Sequence, residues 1–316
     1  MSLAASAATG VANHLGTIAD ADLLAAEIDE PLAKSAPMAF ALARHNCATR
    51  GPANDCRAYH AIWQYLRLTG IARSVRSDGP LFVAAAERLA RVGRLRRVLV
   101  CGTADYSMLA YLGHAARRVE AETSFDVLDH CATTLQLNDW YGKHANLRVR
   151  TICADVLAFE PDEPYDLVCT HSFLAWLDYE KREQLVMKWR DWLKPGGELA
   201  FSNRIDLLDG PPRSSDHGRR AETMTGEFFQ RCTEMNLELP VDRESFRELI
   251  RQFCERSLHR RRDMPMETLQ NWLGNAGLDL DLAVLAASVV PNNRDRASSP
   301  VQEEGRPRVW FLARRP

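Results

Sequence analysis

Nowhere in the 316 residues is there a C-x-x-C pair, an unbroken apolar run of 18 residues or an excess of one charge. Eight cysteines are present, at 47, 56, 101, 131, 153, 169, 232 and 254, but without that paired spacing they do not read as a zinc ribbon or a dithiol redox centre. Cys101, Cys153 and Cys169 lie in or beside apolar, strand-like runs, so the set reads as reduced core thiols of a cytoplasmic protein, and no metal site is expected. The lack of a long apolar run argues against a membrane-spanning helix. The Ala- and Ser-rich start also lacks the basic and apolar regions of a secretory leader. A formal charge of −2 gives no general attraction to nucleic acid or anionic lipid. A local basic cluster, Arg88, Arg91, Arg94, Arg96 and Arg97, reads as a solvated helix face and linker.

What is present centres on residues 97–105. Arg97 leads into Val98-Leu99-Val100-Cys101, the run breaks at Gly102, and Met108, Leu109 and Leu112 then recur at helical spacing. This is a buried strand turning sharply into a helix, a corner whose free N–H groups can face a nucleotide-type ligand. Glycine is scarce at that corner: Gly102, Ala104 and Ser107 fill the places where a dinucleotide fingerprint has glycines, and two of the three are substituted.

From Val98 onward strand and helix alternate. Strands are expected at 97–101, 125–129, 147–152, 165–169 and 197–203, with helices at about 105–117, 131–142 and 180–193, which predicts a doubly wound α/β sheet. Residues 20–91 read as helical throughout, broken at Pro31, Pro37, Pro52 and Pro80. Residues 207–262 interrupt the alternation, opening on Asp209-Gly210-Pro211-Pro212 and carrying two amphipathic helical segments. A helix over 266–276, a strand over 278–289, a loop over 291–307 and a last strand over 308–314 complete the chain, the final pair being antiparallel. The expected divisions are a helical N-terminal cap (1–94), an α/β core (95–206), a helical insertion or lid (207–262) and the C-terminal part of the core (263–316).

Chemistry-bearing residues cluster after the strands. Asp129 closes the second strand, 27 positions beyond Gly102, where a carboxylate can accept from both hydroxyls of a ribose. Ala154-Asp155-Val156 follows the third strand. Tyr165-Asp166-Leu167-Val168-Cys169-Thr170-His171-Ser172 is an apolar strand that ends polar, and Leu193-Lys194-Pro195-Gly196-Gly197-Glu198-Leu199 is a turn feeding the next strand.

Taken together, these stretches resemble the class I S-adenosylmethionine-dependent methyltransferases over about 95–206 and 263–316. The resemblance implies a Rossmann-like seven-stranded sheet with an antiparallel last strand, and S-adenosyl-L-methionine as cofactor. It places Gly102, Thr103 and Ala104 at the methionine part, Asp129 with His130 at the ribose, Asp155 and Val156 at the adenine, and Thr170, His171, Ser172 and Phe173 along the gap to the acceptor. Where that family usually has several glycines, this chain has Cys101-Gly102-Thr103-Ala104-Asp105, so the turn is built differently.

Methyl transfer asks mainly for in-line placement and exclusion of water, and for a base when the nucleophile carries a proton. His171 is the candidate base, with a structural hydrogen bond as its alternative. Asn138, Tyr141, Ser202 and Asn203 are candidates for the same cleft. Tyr59 and Trp63, with Trp176, line either an acceptor pocket or simply the core. The leading expectation is a methyltransferase acting on a small molecule of secondary metabolism, without nucleic-acid or membrane partners. Two alternatives stay open: a cyclase of the same fold that closes the cofactor's aminobutyryl chain to azetidine-2-carboxylate and releases methylthioadenosine, and a non-catalytic cofactor-binding regulator. Oligomeric state is not legible.

Overall fold

A computed structural model describes residues 10–16, 18–47, 55–72, 74–205, 217–260, 264–289 and 307–316. The expected loop over 291–307 and the Asp209–Pro212 stretch lie almost wholly or wholly outside them. Strands β1 (Arg97–Cys101), β2 (Ser124–Asp129), β3 (Arg148–Cys153), β4 (Tyr165–His171), β5 (Leu193–Arg204), β6 (Asp279–Leu285) and β7 (Arg308–Arg314) form one sheet in the order β3-β2-β1-β4-β5-β7-β6. Only β7 runs against its neighbours; it pairs antiparallel with both β5 and β6, while the other pairings are parallel. The doubly wound sheet with a reversed last strand is therefore as expected.

Period-two alternation within the strands builds the layers. Val98 and Val100 join Phe125, Val127, Leu167 and Cys169 on one face, while Leu99 and Cys101 join Leu128, Val168 and Leu199 on the other. Helices α4 (Gly79–Arg91), α5 (Ser107–Arg118) and α6 (Ala132–His144) cover the first face through Leu81, Leu109, Leu112 and Leu135. Helices α7 (Tyr179–Trp192) and α10 (Met266–Asn275) cover the second through Leu185, Trp189, Leu269 and Leu273.

Around this core lie α1 (Ala21–Glu27), α2 (Leu32–Asn46) and α3 (Arg57–Leu68) from the N-terminal part, and α8 (His217–Glu234) and α9 (Arg243–Arg260) from the insertion. A third apolar cluster joins α2, α3, α8 and α9 through Phe40, Tyr59, Tyr65, Phe228, Phe246 and Phe253, with Phe228 and Phe246 stacked 4.6 Å apart. Cys131 belongs to that cluster, and Ala104 and Trp176 pack against it. The cap thus rests on the loops that follow β1, β2 and β4.

Two expectations need correction. The strand expected over 278–289 ends at Leu285; the chain then turns into α11 (Ala286–Val289), where the Ser288 hydroxyl donates to the Leu285 carbonyl (2.7 Å). Cys153, expected among core thiols, is exposed, because β3 is an edge strand with a half-solvated face.

The chain winds outward from β1 to β3 and then crosses back to β4. The strand order therefore reverses between β1 and β4, and in open α/β sheets the crevice outside the carboxyl ends at such a reversal is where ligands bind. At the opposite, amino ends of the strands the Asp166 carboxylate accepts from the N–H groups of Arg96 (3.0 Å) and Arg97 (2.8 Å) and from Lys194 Nζ (2.8 Å). The Tyr165-Asp166 and Leu193-Lys194 stretches thus stitch β1, β4 and β5 together below the crevice.

Candidate active site

Gly102, at the end of β1, has φ +71°, which an L side chain rarely adopts. A Cβ there would sit 2.3 Å from the Phe173 ring, so the absent side chain lets this ring lie directly on the turn. Beside it, Asp129 holds two loops at once: Oδ2 accepts from Thr103 N–H (3.0 Å) and Oδ1 from Cys131 N–H (2.7 Å). An ionised carboxylate offers about four lone-pair sites, so these bonds leave capacity for two hydroxyls. Half-exposed His130 places Nδ1 3.3 Å from Asp129 Oδ1. The Ala154 N–H donates to the Asp129 carbonyl (3.1 Å), which brings the third loop alongside; there Asp155 is exposed, with Oδ1 accepting from Leu157 N–H (2.8 Å), and Val156 is buried. The loop residues named for the adenosyl group therefore lie together, with acceptor capacity at Asp129 and Asp155 and an apolar floor at Val156. This donor set fits S-adenosylmethionine at its adenosyl end, while Phe173 lies on the turn named for its methionine end.

Across the crevice, the end of β4 is organised by a residue the sequence did not single out. Asp78, fully buried at the start of α4, accepts from His171 Nε2 (2.9 Å), the Ser202 hydroxyl (2.9 Å), Arg308 Nη1 (3.0 Å) and Trp310 Nε1 (2.7 Å). Burial alone would raise its carboxyl; the Arg308 guanidinium, the His171 ring and the indole N–H together hold it well below the usual range. His171 itself is pushed below its ordinary 6.5, first by burial and then by Arg308, against the pull of Asp78. A carboxylate can only accept, so the Asp78 contact assigns the proton to Nε2 and leaves Nδ1 basic, with Arg308 Nη1 also 3.1 Å from Nε2. Ser172 has φ +54° and its hydroxyl accepts from Arg308 Nη1 (2.8 Å), so the residue after His171 is pinned in a strained turn.

Not all the sequence candidates converge. Ser202 reaches this network only by bonding Asp78. Asn138 is buried in α6, its Nδ2 donating back to the Thr134 carbonyl (2.8 Å) while its Oδ1 has no hydrogen-bond partner among the described residues. Tyr141 donates to the Asp29 carbonyl (2.8 Å) and stacks on Tyr106, and Asn203 donates to the Arg204 carbonyl. Thr170 is buried, with no hydrogen-bond partner for its Oγ1 among the described residues.

The aromatic candidates do meet. Tyr59 stacks on Trp63 and on Phe253 (both 5.3 Å) and meets Trp176 edge-on (5.6 Å), making a column from the cap to the segment after β4. Trp63 Nε1 (3.0 Å) and Arg67 Nη1 (2.7 Å) donate to buried Asp105, just past Gly102, and Arg67 also pairs with Glu30. Sequence reasoning missed Asp78, Asp105 and Arg308, and it named Phe173 only for the gap to the acceptor, not for the turn at Gly102. The signals for the first and third were an Asp directly before Gly79-Pro80 at a helix start and an Arg opening the last strand.

The cysteines also need revision. Cys47, Cys56 and Cys131 are not dispersed core thiols: they converge with His60, all four residues buried.

Residues 99–197 match the model of a family described as a methyltransferase domain. No curated protein matches the chain. Among solved structures it is similar to the apo form of the S-adenosylmethionine-dependent methyltransferase SibL (18% identity over 94% of this chain and 73% of that one, TM-score 0.47). It is also similar to magnesium protoporphyrin IX methyltransferase of Synechocystis PCC 6803 (10%, 80% and 94%, TM-score 0.47) and to the N-methyltransferase NodS of Bradyrhizobium japonicum WM9 (15%, 76% and 98%, TM-score 0.43). The family match makes residues 99–197 a methyltransferase domain, and the strand order with its reversed β7 is the sheet that the resemblance to the class I S-adenosylmethionine-dependent type implies. S-adenosylmethionine is the cofactor of such a domain. Among the described residues no helix is long and apolar enough to cross a membrane.

Proposed function

We propose that this chain methylates a nucleophile on a small-molecule acceptor, taken from secondary metabolism, in a chamber between the carboxyl ends of β1 and β4 and the helical cap. The observation that carries this reading is the aromatic column. Tyr59, Trp63, Trp176 and Phe253 join the cap to the loops of the crevice, which favours a compact, partly apolar acceptor over a polymer that needs an open groove. Asp129 would hold the ribose, Asp155 and Val156 the adenine, and the backbone at Gly102, Thr103 and Ala104 the methionine portion once Phe173 has yielded. When bound, S-adenosylmethionine supplies an electrophilic methyl on a sulfonium.

The residues of this chain supply position, dryness and a base. The cap excludes water from the crevice, which keeps a nucleophile undersolvated and in place. Asp78 orients His171 through Nε2, so that neutral Nδ1 can take a proton from an acceptor hydroxyl or ammonium. Burial first, and then Arg308 fixed on Asp78 and Ser172, keep the imidazole neutral.

The test is to incubate the protein with S-adenosylmethionine and fractions of small polar and aromatic metabolites, then identify the nucleoside product by mass. S-adenosylhomocysteine with a methylated partner is expected. Methylthioadenosine formed without any acceptor would replace this reading with cyclisation of the cofactor.

A further inference from the structure

We propose that Cys47, Cys56, His60 and Cys131 bind one zinc ion, a structural site that fastens the helical cap to the loop after β2. The four ligand atoms all lie within 4.8 Å of one another, and all four residues are buried. Cys131 Sγ is 3.6 Å from Cys47 Sγ and 3.7 Å from Cys56 Sγ, and His60 Nδ1 is 3.3 Å from the sulfurs of both Cys47 and Cys131.

These separations suit a tetrahedron. With zinc–sulfur bonds of about 2.3 Å and a zinc–nitrogen bond of about 2.0 Å, a tetrahedral site has sulfur–sulfur edges of about 3.8 Å and sulfur–nitrogen edges of about 3.5 Å. They do not suit a disulfide, whose sulfurs are about 2.05 Å apart, and Cys131 approaches two thiols almost equally, so no pair is singled out. Three thiolates with one imidazole are a soft, thiophilic donor set, which selects zinc over magnesium or calcium. Four protein ligands leave no open coordination position, the arrangement of a structural rather than a catalytic ion.

The sequence places the ligands where such an ion does most. Cys47 follows the last residue of α2, Cys56 caps the start of α3, and His60 lies four residues on, above it on the same helix face. The ion would close the chain on either side of residues 48–54. Cys131, the N-cap of α6, comes from the core, 71 positions beyond His60. Around the cluster, Thr133 Oγ1 lies 3.2 Å from Cys47 Sγ, and the Cys131 N–H is held by Asp129.

The experiment uses the full chain carrying a tag that does not bind metals. Elemental analysis should find roughly one zinc per chain. X-ray absorption at the zinc edge should show three sulfur and one nitrogen neighbours. Cys56→Ser and Cys131→Ser should each lower zinc content at least several-fold, while Cys153→Ser, outside the cluster, should retain it. If the cluster variants do not fold, the native protein decides the matter: cobalt exchanged into it should give the intense visible absorption of a tetrahedral thiolate site. Absence of stoichiometric zinc after reconstitution with zinc chloride, an oxygen-rich shell, a different resident metal, or zinc retained by the Cys56→Ser, Cys131→Ser double variant would each overturn the assignment.

Discussion

His171 at the end of β4 and Asp78 at the start of α4 meet at 2.9 Å through Nε2 and Oδ2, although 93 residues separate them. The carboxylate is fully buried and also accepts from Ser202, Arg308 and Trp310, so it is rigidly placed and the imidazole inherits that rigidity. In the proposed reaction this pair is the base of the crevice, and it ties that chemistry to the fold.

Asp78→Ala should cost about 3–5 kcal/mol of stability, since it leaves the Arg308 guanidinium and the Trp310 N–H buried without their acceptor. Urea unfolding of this variant beside His171→Asn separates the two roles. His171→Asn should lose most of the turnover while costing less stability, because its main bond is to one carboxylate oxygen. Equal stability losses would show that His171 is merely structural.

The pH dependence follows from the directions of the two shifts. His171 titrates below 6.5 in the folded chain, so it stays neutral at pH 7 and the acid limb of the rate profile should have its midpoint below 6.5. A depressed histidine stabilises the fold above its unfolded value and loses that contribution as pH falls, because the unfolded imidazole gains a proton first. Asp78 is also depressed; its contribution is intact above the ordinary carboxylate range and is lost only as pH falls below it. Stability should therefore decline in two stages on acidification, and His171→Asn should remove the upper one. A rate profile with an acid limb centred above 7 would contradict the assignment.

Asp129→Ala should weaken binding of S-adenosylhomocysteine by about 2–3 kcal/mol, the loss of charge-assisted bonds to two hydroxyls. The variant will also lose stability, because the same carboxylate holds the Thr103 and Cys131 N–H groups. Calorimetry on Asp129→Asn, which keeps one acceptor oxygen, separates the two effects. A melting temperature that falls while affinity is unchanged would remove Asp129 from the ribose.

Asp105→Ala should destabilise the junction between cap and core by about 3 kcal/mol, since buried Arg67 keeps only Glu30 and the Trp63 N–H loses its acceptor. Limited proteolysis should then cut the N-terminal part of the chain before the sheet. Unchanged resistance would mean that apolar packing alone holds the cap.

The sheet was legible because its strands carry local signals. Val98 and Val100 face one layer and Leu99 and Cys101 the other, and such a doubly buried run followed by Gly102 has few other readings. Asp129 and Asp155 could be named for the same reason, since one ends β2 and the other lies two residues past β3. What escaped the sequence depends on distance along the chain. Asp78 gains meaning only from Arg308 and Trp310, some 230 residues away, and Cys131 only from Cys47, Cys56 and His60. Paired cysteines signal a metal site through a short repeat, whereas Cys56 and His60 share a helix face, Cys47 follows α2 and Cys131 lies in the loop after β2. Half of the Asn138 amide, its Nδ2, is used on the preceding turn, a bond that the sequence pattern alone does not reveal.

Hydrogen exchange with and without S-adenosylhomocysteine tests the central claim most directly, because it reports where the ligand lies and whether the cap closes over it. Binding should slow exchange at 102–106, 129–131 and 154–157, at 170–176, and in α3 and α9 of the cap. Protection absent from the first three loops, or confined to surfaces away from the ends of β1 and β4, would contradict the account.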